Sequence, residues 1–70
     1  MKLFVFHAFT NHGEFLRGII HNSIEEAFEF KSNSGEKSLK ELGWKIKDLI
    51  FSIDVNGTIG IAFDGGGDLG

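Results

Sequence analysis

Two runs rich in phenylalanine and β-branched residues, 2–10 (KLFVFHAFT) and 14–21 (EFLRGIIH), are separated by only three residues, Asn11-His12-Gly13. Nothing else in the chain constrains its fold as strongly. Phe, Val and Ile suit a pleated, half-buried surface better than a helix. A connection this short joins only antiparallel neighbours, and Gly13 stands where a three-residue hairpin loop takes a left-handed residue. The chain therefore opens with a β-hairpin.

The register follows from asking which pairing sorts the side chains. With Asn11-His12-Gly13 as the loop, Thr10 faces Glu14, Ala8 faces Leu16, Phe6 faces Gly18 and Phe4 faces Ile20. One face then carries Phe4, Phe6, Ala8, Leu16 and Ile20 with no interior charge. The other carries Leu3, Val5, His7, Phe9, Phe15, Arg17, Ile19 and His21. A two-residue loop that sets Phe4 opposite His21 and Ala8 opposite Arg17 mixes polar and apolar on both faces. Since a one-residue slip flips every side chain, the first register is expected.

Asn56-Gly57 is a second hairpin signal. Taking Val55-Asn56-Gly57 as its loop pairs Ile53 with Ile59, Phe51 with Ile61 and Leu49 with Phe63, all on one face. Between the two hairpins, Ser23-Ile24-Glu25-Glu26 reads as a capping box. Ile24, Phe28, Leu39 and Leu42 then fall on one helical stripe. The spacing predicts a helix over 24–42, continuous or interrupted within the weak helix formers at 32–35, with Gly43 as its C-terminal cap. The expected fold is α+β: ββαββ, an antiparallel four-stranded sheet with one helix packed on one face. Residues 1–64 form the single domain this implies, and 65–70, opening with Gly65-Gly66-Gly67, form a flexible tail.

Composition excludes several function classes. Seventy residues allow one domain and no separate catalytic module. The absence of cysteine removes disulfides, thiolate nucleophiles and cysteine-based zinc sites. No apolar run approaches the roughly 18–20 residues that span a bilayer, and the first residues lack the apolar region of a signal peptide. The chain reads as cytoplasmic, with no membrane partner. Seven Lys+Arg against ten Asp+Glu give a net charge of −3, unlike the basic footprint of a general nucleic-acid binder.

Asp54-Val55-Asn56-Gly57-Thr58 resembles the Asp-x-Asp-Gly-Thr motif of haloacid dehalogenase-like phosphatases, in which the first Asp attacks phosphate and the second serves as acid and base. The resemblance covers five positions, and Asn56, whose amide exchanges no proton, stands where the second Asp would be. The three histidines, His7, His12 and His21, lie on or near the first hairpin without the convergence that zinc requires. The expectation is a non-enzymatic chain with no catalytic residue, no metal and no cofactor.

Two surfaces remain. In the expected register, the face of the first hairpin turned away from the helix places Val5, Phe9, Phe15 and Ile19 beside His7, Arg17 and His21. Contiguous exposed apolar patches mark interaction sites, and aromatic residues with Arg are common in interfaces. This face is the candidate partner-binding site of a small protein-binding module, acting by homodimerisation or by docking on a larger protein and inhibiting it. In size, small acidic chains without motifs resemble inhibitors encoded by phages and mobile elements. The alternative is nucleic acid: residues 31–47 hold five Lys against two Glu, and Lys37, Lys40, Trp44, Lys45 and Lys47 combine cations with a stacking surface.

Overall fold

The first hairpin forms as β1 (Lys2–Thr10) and β2 (Gly13–His21). In this computed structural model it is the centre of a four-stranded antiparallel sheet rather than one half of it. The structure describes residues 1–11, 13–32, 35 and 37–67. β3 (Leu49–Asp54) pairs with β1, β4 (Gly60–Gly67) pairs with β2, and the strand order is β3-β1-β2-β4. With one short helix, α1 (Ile24–Glu29), on one face of this open sheet, the α+β ββαββ class holds.

The hairpin register differs from the expected one by one residue. Thr10 pairs with Gly13, Ala8 with Phe15, Phe6 with Arg17 and Phe4 with Ile19, which leaves only Asn11 and His12 between the strands. His12 lies outside the described residues. Gly13 keeps a positive φ of 126° but opens β2 instead of closing the loop. Partners outside the hairpin decide the register. Arg17, now beneath the helix-bearing face and 8% exposed, meets Asp64 directly across on β4, with Nη2 to Oδ2 at 2.8 Å. Its Nη1 donates to the Lys37 carbonyl at 3.3 Å. A buried charge is tolerable when paired and hydrogen-bonded, so the polar–apolar mixing that two strands alone would forbid is satisfied by a third element.

The second expected hairpin does not form. β3 and β4 lie at opposite edges of the sheet, and Val55-Asn56-Gly57 belongs to a crossing connection, 55–59, that runs past the open end of the first hairpin. There the Val55 amide donates to the Met1 carbonyl at 3.1 Å, and a Cβ on Gly57 would come within 3.0 Å of Ile20 Cδ1. The turn preference of Asn-Gly is local. It yields to two vacant ladder edges on β1 and β2, which only separated strands can both fill. β4 also runs on through Gly65, Gly66 and Gly67, which pair with Leu16, Phe15 and Glu14. These three glycines are edge strand, not tail; 68–70 lie outside the described residues.

The helix is shorter than the stripe predicts. Ser23 caps it as expected, its Oγ accepting from the Glu26 amide at 3.2 Å. The Glu26 carboxylate lies 3.0 Å from His21 Nδ1. The helix stops at Glu29, where Phe30 turns extended (φ −64°, ψ 134°) ahead of the poor helix formers that follow. Leu39 still enters the core through a single turn over 39–43. Gly43 (φ 89°) closes that turn, with Trp44 N–H bonded to the Leu39 carbonyl at 3.0 Å and Gly43 N–H to the Lys40 carbonyl at 3.2 Å. This is the paired-bond ending that a left-handed glycine makes possible. Leu42, placed on the same stripe by the sequence, is exposed. The core between sheet and helix consists of Phe4, Phe6, Ile19, Ala27, Phe28 and Leu39, with the Phe6 and Phe28 rings 6.1 Å apart.

Candidate functional site

Residues paired directly across antiparallel strands share a face, so the registers sort the whole sheet. Phe4, Phe6, Phe15, Arg17, Ile19, Leu49, Ile61 and Asp64 lie on the helix-bearing side. On the other side the rows run Ile53–Leu3–Ile20, then Phe51–Val5–Gly18–Phe63, then His7–Leu16, then Phe9–Glu14.

The partner-binding residues expected from sequence are therefore divided. Val5, His7 and Phe9 do lie on the open face. Phe15, Arg17, Ile19 and His21 lie on the covered side, where Ile19 is fully buried in the core. Val5 is on the open face yet only 3% exposed. It sits between Phe51 and Phe63 in the central row, and the Phe63 ring leans inward until a Cβ on Gly18 would lie 2.4 Å from it. An aromatic ring thus fills the place of the missing side chain in the middle of the sheet.

Sequence reasoning missed Leu16, Phe51, Ile53 and Phe63, and assigned them to the covered face. Leu16 changes face with the one-residue difference in hairpin register; for Phe51, Ile53 and Phe63 bulges are the reason. The β1–β3 register shifts between Val5 and Phe6, leaving Ile50 extra, and the β2–β4 register shifts between Gly18 and Ile19, leaving Ala62 extra. Leu49 and Phe51, like Ile61 and Phe63, alternate in sequence as if they shared a face, but each pair is split by a bulge. The two bulges flank the Val5–Gly18 pair, the β3 bulge towards Phe6 and the β4 bulge towards Ile19.

The resulting surface is broad, apolar and nearly free of charge. Phe51 is 48%, Ile53 49%, Phe63 42% and Phe9 74% exposed, and Leu16 adds to them. Among the described residues, His7 and Glu14 are its only titratable groups, and they bond to one another with Nε2 and Oε1 2.6 Å apart. The His7 ring also stands edge-on to Phe9 at 4.6 Å. His7 and His21, which the sequence places together, lie on opposite faces.

The helix-bearing side holds a groove of 380 Å³ lined by Thr10, Phe15, Arg17, Leu42, Trp44 and Asp64. Trp44 packs its ring against the core from there. Of the lysine-rich segment, Lys40 pairs with Glu29 at 3.4 Å, while Lys37, Lys45 and Lys47 are exposed. Asp54 closes β3 and lies 3.8 Å from Lys2 with its side chain 89% exposed. Among the described residues no helix is long and apolar enough to cross a membrane. The chain matches no family model, no curated protein and no solved structure.

Proposed function

We propose that this chain is a small, non-enzymatic, cytoplasmic protein-binding module whose working surface is the open face of its sheet, engaged by self-association or by docking on a larger protein. The observation that supports it is the apolar, charge-poor character of that face. An antiparallel sheet with one face in water normally alternates apolar-in and polar-out, and here the outward set includes Leu3, Val5, Phe9, Leu16, Ile20, Phe51, Ile53 and Phe63, with His7 and Glu14 its only polar side chains among the described residues. Among the described residues, seven hydrophobic side chains are buried while ten large ones stay exposed. Five of the ten, Phe9, Leu16, Phe51, Ile53 and Phe63, lie on the open face, where a partner would bury them. The nucleic-acid reading has weaker support, because Trp44 packs against the core instead of standing free as a stacking platform.

The test is photo-crosslinking in the native cell, with a photoreactive phenylalanine analogue at Phe51 or Phe63 and, as controls, at exposed Glu25 and Lys45. The expected result is covalent protein adducts from Phe51 and Phe63 and none from the controls. Adducts confined to Lys45, or adducts to nucleic acid, would overturn the reading.

A further inference from the structure

We infer that the occupant of the open face is a second copy of this chain, packed sheet against sheet across a two-fold axis; this rests on the binding-module reading above. Three features carry it. The first is charge. A chain of net charge −3 docking on itself would normally set like charges against each other, yet among the described residues the exposed charges lie off this face. Glu25, Glu26 and Glu29 lie on α1, Lys31 and Lys40 pair with Glu41 and Glu29, Lys45 and Lys47 lie in the turn before β3, and Arg17 and Asp64 are paired on the helix-bearing side. The one acid–base pair on the open face, His7 with Glu14, is closed on itself. Among the described residues, two copies can approach face to face without burying a charged group that lacks a hydrogen-bond partner, which meets the main electrostatic demand on an isologous contact.

The second feature is area. Four strands about 4.8 Å apart, each paired over about seven residues at about 3.4 Å, present on the order of 500 Å². Two copies would bury roughly twice that, at the threshold of about 1,000 Å² for a specific interface. A weak dimer is the outcome such an area supports.

The third is shape. Phe51 and Phe63 stand at opposite edges of one row, and Val5 and Gly18 lie between them. A two-fold axis along the strands sets Phe51 of one copy over Phe63 of the other, twice, at the spacing of about 10 Å that stacked sheets adopt. The four rings, which in each copy close over Val5 and Gly18, then form the middle of the contact. Such stacking follows the aligned packing of β-sandwiches, with each chain supplying one sheet.

Sedimentation equilibrium tests this on the full chain at concentrations from about 1 to 200 µM, which brackets micromolar dissociation constants. The expected species has twice the 7.7 kDa mass of one chain, with a dissociation constant that high salt leaves unchanged, because no exposed ion pair holds it. Phe51→Glu combined with Ile53→Glu should weaken the dimer at least about 100-fold while keeping the far-ultraviolet spectrum; Lys47→Glu should leave it intact. Should the double variant unfold, Phe9→Glu supplies the same readout, since Phe9 is almost fully exposed. A chain that stays monomeric to about 200 µM, or a dimer indifferent to all three open-face substitutions, overturns the inference. If Phe51 still crosslinks to another protein in the monomeric case, the binding surface stands and only the second copy falls. If Phe51 yields no adduct at all, the binding reading falls with it.

Discussion

Replacing Asp64 by Ala should destabilise the fold far more than replacing Arg17 by Met, although the two residues form one ion pair. Arg17 is 8% exposed and donates to Asp64 from both Nε and Nη2, at 3.4 and 2.8 Å. The Asp64 side chain is 46% exposed. Truncating Asp64 leaves a buried guanidinium with, among the described residues, only the Lys37 carbonyl as partner. Stranding a fully buried charge costs about 3–5 kcal/mol. Water that enters where the half-exposed carboxylate stood reduces that to about 2 kcal/mol. Arg17→Met removes the buried charge itself and leaves Asp64 in water, at a cost of about 0–1 kcal/mol. The double variant should then be no worse than Arg17→Met alone. A domain of this size holds only about 3–5 kcal/mol in total, so Asp64→Ala consumes about half of it. Urea denaturation followed by the fluorescence of Trp44, the only tryptophan and a wall of the same groove, reads this directly. With a slope near 1 kcal/mol per molar, the midpoint should fall by about 2 M for Asp64→Ala and recover in the double variant. Equal, small shifts for both single variants would refute the reasoning. They would mean that Arg17 faces water, as it does when the first hairpin slips by one residue.

Two further substitutions probe the edges of the fold. Ser23→Ala removes the oxygen that accepts the Glu26 amide, and thermal melting should show a loss of about 0.5–2 kcal/mol. Neighbouring glycines on β4 should respond in opposite ways: a Cβ on Gly65 meets nothing within 4 Å, whereas one on Gly66 (φ 118°) would lie 2.2 Å from the Glu14 carbonyl oxygen. In the same melts, Gly65→Ala should be neutral or slightly stabilising, and Gly66→Ala should detach the end of β4.

The contrast between Arg17 and Asn56 shows how far the sequence could be read. Strand content, the antiparallel hairpin, the Ser23 cap and the left-handed Gly43 all follow from local preference, and all are found in the structure. The register failed because the hairpin was sorted as a two-strand object. In that frame Arg17 beside Phe6 looks prohibitive, and only Asp64, 47 positions along the chain, makes it tolerable. Asn56-Gly57 misled in the same way, since a turn preference says nothing of which edge the next strand will join. The open apolar face was half legible. Val5, His7 and Phe9 were placed correctly by alternation, but Phe51 and Phe63 reach that face through bulges at Ile50 and Ala62, and alternation counted along one strand cannot detect an inserted residue. Leu42 shows the converse failure: helical spacing continued on paper past the point where Lys31 and its successors end the helix.

The connection over 55–59 also acts as a ruler. β3 and β4 are separated by three interstrand gaps, about 14 Å in all. The six Cα–Cα steps from Asp54 to Gly60 reach about 20–22 Å when fully extended. Passing around the end of β1 and β2 uses most of the difference, so the segment has little slack, which accounts for its anchorage to Met1 and its close pass over Ile20. Two residues fewer would bring its reach to about 13–14 Å, the bare width of the gap, and one outer strand would have to leave the sheet. Residues added there would cost little. The length of this one segment, more than its turn chemistry, therefore sets a maximum on how many strands the chain can hold between its first and last edges.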